Sequence, residues 1–116
     1  MSKNYFNGKH GVYVIAEIGG NHEGDFEYAK YLTNLAAKSG VDAIKFQIYS
    51  GKTLVNKKYD SKRFNHFNKF QLSKDQYLYL AQLCKRLGVQ FMASVWDLGA
   101  VAYIDKFIKV YKVGSG

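Results

Sequence analysis

A carboxylate, two ammonium groups, an amide and two hydroxyls stand near the ends of four similar apolar runs. They are Glu17 in AEIGGNHEGD (residues 16–25), Lys45 and Gln47 in KFQ, Ser94 in ASVWD, and Lys112 and Ser115 in YKVGSG. A carboxylate at the end of a buried run is costly unless it has partners, and Lys45 and Lys112 are the cations placed to supply them. One acid and two lysines in a low-dielectric pocket describe a binding site for a small anion. The lysines would neutralise phosphate or carboxylate, while Ser94, Ser115 and glycine backbone amides orient its oxygens. Gln47 adds a further hydrogen-bonding group, and Glu17 remains for chemistry.

Other polar residues carry weaker signals. His22 and Glu23 are adjacent potential metal ligands, but two neighbours in a turn are few, and Asn21 and His22 are expected to stabilise that turn. Gly19, Gly20 and Gly24 match neither a Walker nor a Rossmann phosphate loop; they are expected to let the backbone turn over the pocket. A lone cysteine, Cys84, excludes an internal disulfide and falls on the apolar stripe of a helix, as a small core residue would.

The elements that must hold these groups repeat. Gly-Val precedes three short aliphatic and aromatic runs, GVYVIAEIGG from Gly11, GVDAIKFQIY from Gly40 and GVQFMASVWD from Gly88, as strands covered on both faces do. Between them, Asp25 predicts a helix cap ahead of Phe26, Ala29, Leu32, Leu35 and Ala36, with Gly40 as the stop. Ser73 and Gln76 predict a capping box ahead of Tyr77, Leu80, Ala81, Cys84 and Leu87. A third helix is predicted from Leu98 to Phe107, and a fourth strand over Val110-Tyr111-Lys112-Val113. Alternating strands and helices imply a parallel sheet. A chain of four strands and three helices that closes on a strand predicts an incomplete (β/α)8 TIM barrel; a small open sheet of flavodoxin type is the alternative.

Side chains alternate across a strand. Tyr13, Ile15 and Glu17 therefore share one face, as do Ala43, Lys45 and Gln47, then Gln90, Met92 and Ser94, then Val110 and Lys112. The opposite set (Val12, Val14, Ala16, Ile18; Ile44, Phe46, Ile48; Val89, Phe91, Ala93; Tyr111, Val113) is apolar and should meet the helices. The polar groups thus gather near the carboxyl ends of the strands, where parallel α/β folds bind ligands.

Composition narrows the class. With 47% hydrophobic and 22% charged residues the chain has the make-up of one globular domain, not a disordered one. No apolar run reaches the roughly 18 residues of a membrane span, and the N-terminal MSKNYFNGKHG lacks a secretory pattern, so the cytoplasm is the expected compartment. Seventeen basic against nine acidic residues, net +8, favours anionic partners. Residues 49–73 read as an extra-long connection in which Lys52, Lys57, Lys58, Lys62, Arg63 and Lys69 interleave with Tyr59, Phe64, Phe67 and Phe70. Such a mixture can bind single-stranded nucleic acid, but no nucleic-acid module is present; a loop over the pocket is the expectation.

The segments AEIGGNHEGDFEYAKYLTNLAAKSGVDAIKFQ, LGVQFMASVWD and YKVGSG together resemble the N-terminal catalytic domain of the sialic acid synthase family, which includes N-acetylneuraminate, legionaminate and pseudaminate synthases. The resemblance runs from about Val12 to the last residue, and its AEIG-x-NH-x-G opening and KFQ strand are the specific parts. It implies a TIM barrel that condenses phosphoenolpyruvate with an N-acetylated sugar such as N-acetylmannosamine, giving a nine-carbon 2-keto acid and phosphate. It also implies a divalent metal, Mn or Mg, acting as Lewis acid on the sugar aldehyde, and a homodimeric intact protein. By position, Glu17 resembles the acid near the reacting carbons, Lys45 and Lys112 the phosphoenolpyruvate-binding lysines, and Ser94 and Ser115 ligands of phosphate or carboxylate; Gln47 resembles a support for the sugar or for Lys45. Where the family commonly has Ser-Thr-Pro-Phe-Asp, this chain reads Ala93-Ser94-Val95-Trp96-Asp97, so the pocket wall differs. The family's metal-binding histidines lie on later strands, and its second half-barrel and antifreeze-like domain lie beyond this sequence; the expectation is a partial active site, inactive alone.

Overall fold

The computed structural model describes residues 7–115. A short antiparallel hairpin, β1 (Asn7–Gly8) and β2 (Gly11–Val12), leads into a parallel sheet of β3 (Ile15–Gly19), β4 (Ala43–Ile48) and β5 (Gln90–Val95), in that order. Helix α1 (Phe26–Lys38) connects β3 to β4; α2 (Gly51–Leu54), α3 (Ser61–Phe70) and α4 (Lys74–Leu87) connect β4 to β5; α5 (Leu98–Ile104) follows. The result is an α/β fold on a parallel sheet.

The helices begin where their capping residues dictate. Asp25 accepts from the Tyr28 amide at 3.0 Å, and Asp97 from the Ala100 amide at 2.7 Å. Ser73 and Gln76 form a reciprocal capping box on α4, and Gly88 ends that helix at φ 75°, a left-handed conformation that glycine adopts without strain. Ile44, Phe46 and Ile48 of β4 and Phe91 and Ala93 of β5 form one buried cluster with Ala29 of α1 and Tyr77, Leu80, Ala81 and Cys84 of α4. Phe46 and Phe91 stack at 5.3 Å between centroids. Truncating any of these larger side chains to alanine costs about 2–5 kcal/mol, from lost transfer energy and an unfilled cavity.

The amino ends of the strands are tied by one carboxylate. Asp42 accepts from the Lys9 amide at 2.7 Å and the Val14 amide at 2.8 Å, while the Lys9 ammonium reaches the Gly88 carbonyl at the end of α4. A Cβ on Gly8 would run into the Asp42 carboxylate, so glycine is what lets the hairpin close onto it. These two amide bonds hold the Asp42 carboxyl below its ordinary pKa.

Four expectations are revised. The first apolar run is not one strand: Val12 pairs with Asn7 in the hairpin and is 81% exposed, Val14 is also exposed, and the parallel strand starts only at Ile15. Residues 110–113 form no strand; they join β5 through a single parallel bridge, Ala93 to Tyr111, with the Lys112 amide donating to the Ala93 carbonyl at 3.2 Å. Tyr111 and Val113 are accordingly exposed, with no described helix over them. The helix predicted from Leu98 to Phe107, α5, ends at Ile104 and tightens into a 3-10 turn over Asp105–Phe107. Finally, residues 49–73 are not irregular. Ser50 caps α2 and Asp60 caps α3, and Phe64, Phe67 and Phe70, spaced three apart, line α3 although none is fully buried. Gly51 sits tightly against α3: a Cβ there would stand 2.9 Å from Asn68 Cβ, and its amide donates to Gln71 Oε1 at 2.8 Å. Among the described residues, no helix is long and apolar enough to cross a membrane.

Candidate active site

The register of the sheet places the polar groups. Glu17 of β3 lies opposite Lys45 of β4, Lys45 opposite Met92 of β5, and Gln47 opposite Ser94. The Lys45 ammonium donates to Glu17 Oε2 at 2.7 Å. Their environments differ in a way opposite to the sequence expectation: Lys45 is the buried member, and the Glu17 side chain is 50% exposed. The lysine stem crosses the sheet face and delivers its charge to a carboxylate that water also reaches.

Glycine makes that geometry possible. The register slips between Glu17 and Gly19, a bulge of the kind that re-aims a strand-end side chain. Gly19 has φ 55°, and a Cβ on it would stand 2.8 Å from Glu17 Oε1 and 3.8 Å from the Gln47 amide carbon. Beyond it the chain turns: Asn21 Nδ2 donates to the Ile18 carbonyl at 2.7 Å, and the Gly24 amide donates to His22 Nδ1 at 3.0 Å. Asn21 and His22 therefore stabilise the turn, as their placement predicts. Accepting at Nδ1 puts the neutral ring's proton on Nε2. That atom is buried without a partner among the described residues, and burial lowers the His22 pKa. Among the described residues, no group of three or more His, Cys, Asp or Glu is placed to hold a metal ion.

Ser94 is buried, and the chain that follows β5 comes back to it. Ser94, Trp96, Lys112, Gly114 and Ser115 line an open cleft of about 420 Å³. Lys112 and Ser115 thus border Ser94. The Lys112 ammonium, however, donates to the neighbouring Val113 carbonyl at 2.9 Å, leaving Lys45 as the lysine paired with Glu17. Gly116, the last residue of the YKVGSG motif, lies outside the described residues. The structure therefore joins Glu17, Lys45, Gln47 and Ser94 along one sheet face and sets Lys112 and Ser115 beside its Ser94 end.

One residue escaped the sequence reading. Tyr49 continues the alternation of Lys45 and Gln47, and the Trp96 amide bonds to the Ile48 carbonyl at 3.1 Å, extending the β4–β5 ladder one step past the strands. A period-two count carried on to residue 49 would have found it.

A model of the NeuB family matches residues 32–116. The chain belongs to the NeuB family. This NeuB-family chain is 36% identical to the N-acetylneuraminate-9-phosphate synthase of Mus musculus over 121 aligned positions, covering 94% of the chain and 34% of that protein. It is 32% identical to the N,N'-diacetyllegionaminic acid synthase of Legionella pneumophila, covering 90% of the chain and 33% of that protein. The structure of the N-acetylneuraminic acid synthetase of Leptospira borgpetersenii, in complex with citrate, superposes with a TM-score of 0.79 at 24% identity, over 87% of this chain and 35% of that one; that match speaks for the fold. The chain spans about a third of the length of these relatives.

Proposed function

We propose that this chain supplies the first strands of a (β/α)8 barrel in a sialic-acid-synthase-type transferase, a cytoplasmic homodimer when intact, that condenses phosphoenolpyruvate with an N-acetylated hexose. The carrying observation is the buried Lys45 ammonium, paired at 2.7 Å with Glu17 midway along the parallel strands, with Gln47 and Ser94 on the same face one layer nearer their carboxyl ends. Family membership and the synthase names of the relatives support the same reading.

In this proposal Lys45 and Lys112 neutralise the phosphate and carboxylate of phosphoenolpyruvate, and Ser94 and Ser115 orient their oxygens. Gln47 holds the sugar or Lys45. The C3 carbon of phosphoenolpyruvate attacks the aldehyde carbon of the open-chain sugar, and the aldehyde oxygen takes up a proton. Water adds at C2 and gives up both protons, one matching that taken up by the aldehyde oxygen and one passing to the phosphate, which leaves by cleavage of its C2–O bond as the ketone forms. Glu17, half exposed and hydrogen-bonded to an ammonium, is the group positioned to transfer those protons. The six carbons of the hexose and three of phosphoenolpyruvate give the nine-carbon 2-keto acid. A divalent metal, Mn or Mg, belongs to the proposed reaction as Lewis acid; the described residues do not make a site for it. Neither nucleic acid nor membrane has a part in this reading.

The test is phosphate release from phosphoenolpyruvate by the intact protein, with Mn or Mg supplied, in the presence and absence of N-acetylmannosamine. Release is expected only with the sugar present, and Lys45→Ala is expected to weaken phosphoenolpyruvate binding at least tenfold, the usual scale for a lost charge-assisted contact. Unchanged phosphoenolpyruvate affinity in that variant would refute the site.

A further inference from the structure

A second basic cleft lies at the amino end of the sheet. Its floor is the start of β5, Gln90 and Phe91, with Val89 before it; Val89 and Phe91 are buried. Lys85 and Gly88, at the end of α4, line it from one element, and Lys106, Phe107 and Lys109, in and after the 3-10 turn, from another. Gln90 stands four residues before Ser94 in β5, about 13 Å along the strand at about 3.3 Å per residue. This cleft, of about 630 Å³, is therefore separate from the one that Ser94, Lys112 and Ser115 border.

No carboxylate lines it, and the acids beside it are engaged elsewhere. Asp105 accepts from the Tyr111 hydroxyl at 2.8 Å. Asp42, whose carbonyl takes the Gln90 amide at 3.0 Å, gives its carboxylate to the Lys9 and Val14 amides. Among the described residues none of the three lysines has an ion pair or a hydrogen bond; Lys106 has only the Phe107 ring, 5.3 Å from its ammonium. A fourth ammonium, Lys9, adds charge at the rim, on the Gly88 carbonyl at 3.2 Å. Helix α4 accounts for one of these cations, since Lys85 in its last turn complements the helix dipole. The 3-10 turn of three residues has no comparable dipole to satisfy with Lys106 and Lys109, and like charges around one cleft repel.

Lysine ammonium groups are mobile point charges that hold phosphate without fixing its orientation. Each of these is open to solvent and contributes little alone, so a single phosphate would be held weakly, whereas two linked phosphates reach the ammonium groups of both elements. The size of the cleft falls within the range of small-molecule sites, about 300–1,000 Å³. Val89 and Phe107 offer apolar surface to whatever the phosphates carry.

We infer that the cleft between α4 and the 3-10 turn binds a diphosphate, free or as part of a nucleotide, through Lys85, Lys106 and Lys109. This site is independent of the proposed condensation, whose anion belongs at the other end of the strands.

Inorganic pyrophosphate and adenosine diphosphate are titrated separately into the intact protein by isothermal calorimetry, at physiological salt, without divalent metal and with phosphoenolpyruvate present to occupy the Ser94 cleft. Both are expected to bind, and Lys106→Gln/Lys109→Gln to bind both at least about tenfold more weakly, the scale of lost charge-assisted contacts. Both lysines are exposed, so the double variant keeps its fold. Lys57→Gln/Lys62→Gln removes the same two charges from the α2–α3 segment and should stay within about twofold of wild type, because exposed charges farther away than a Debye length are screened. Pyrophosphate affinity equal to or above that of the nucleotide assigns the site to the diphosphate alone; tighter nucleotide binding adds the base against Phe107; either outcome upholds it. No binding of either probe at about 1 mM, undiminished affinity in the Lys106/Lys109 variant, an equal loss in the two double variants, or binding seen only when phosphoenolpyruvate is left out would overturn it.

Discussion

The Glu17–Lys45 pair makes an asymmetric prediction, because one partner is buried and the other is not. Two charges about 4 Å apart attract by about 4 kcal/mol near a protein surface and about 1 kcal/mol in bulk water. With half of the Glu17 side chain in solvent, the pair is worth an intermediate amount, about 2 kcal/mol. Glu17→Gln removes that attraction and leaves the Lys45 ammonium buried with only a neutral acceptor, so the full amount is lost. Lys45→Met removes the buried charge itself, along with its desolvation cost of several kcal/mol, and Glu17 simply rehydrates. The methionine variant should therefore lie within about 1 kcal/mol of wild type, on either side. Urea unfolding followed by far-ultraviolet circular dichroism separates the two. With a slope of about 2 kcal/mol per molar, Glu17→Gln lowers the midpoint by about 1 M and Lys45→Met barely moves it.

Ligand affinity should run the other way. Removing the carboxylate takes a negative charge away from the proposed anion site, so Glu17→Gln should hold phosphoenolpyruvate at least as tightly as wild type while losing turnover. Lys45→Met should lose phosphoenolpyruvate while remaining folded. A methionine variant less stable than the glutamine one would show that the lysine is there to hold the sheet together, and would refute the functional reading of the pair.

Two further outcomes follow from the turn and the hairpin. Gly24 has φ 79°, and a Cβ on it would run into the Lys69 carbonyl at the end of α3; Gly24→Ala should cost about 2–3 kcal/mol and expose α2–α3 to limited proteolysis first, whereas resistance equal to wild type would count against that contact. Stability should fall in two stages on acidification. The buried His22, depressed from 6.5, destabilises the fold as pH drops from about 6.5 through its lowered value, because the unfolded chain takes up the proton first. Asp42, depressed from 3.8, keeps its full contribution above that value and loses it as pH falls through the folded pKa. Urea midpoints across pH should show His22→Gln removing the first limb and Asp42→Asn the second.

Much of this arrangement is legible in residue order because burial on both faces leaves a plain signature. Ile44, Phe46 and Ile48 meet the helices while Lys45 and Gln47 take the other face, and strict alternation gives that from sequence alone. The caps at Asp25 and Ser73 and the stop at Gly88 are equally local, each being one side chain or one φ angle. What local reasoning missed depends on distant partners. Helices α2 and α3 bury no side chain completely on α3 and carry a dense run of lysines, so the basic charge masks a three-residue phenylalanine spacing that matters only once Tyr49 and Gly51 are there to meet it. Val12 looks like strand interior until Asp42, thirty residues on, gathers the Lys9 and Val14 amides. Val110–Val113 has strand composition, yet only Tyr111 finds a bridge. The lysine partner of Glu17 was a choice between Lys45 and Lys112 that only the register, Glu17 opposite Lys45, decides.

The same register says why a charge at position 45 requires explanation. Met92 lies directly opposite Lys45 on β5 and is buried beside it. An unbranched apolar side chain of nearly the same length therefore already fits this layer, and a second one would fill it without desolvating an ammonium. Buried ion pairs are on average no more stable than well-packed apolar replacements, so packing gives the lysine no advantage. The proposed anion site does. It needs a cation fixed in place and shielded from water, with a counter-charge loose enough to reorganise when the ligand arrives. Lys45, enclosed, and Glu17, open to solvent on one side and freed from side-chain crowding by Gly19, divide those two requirements between them.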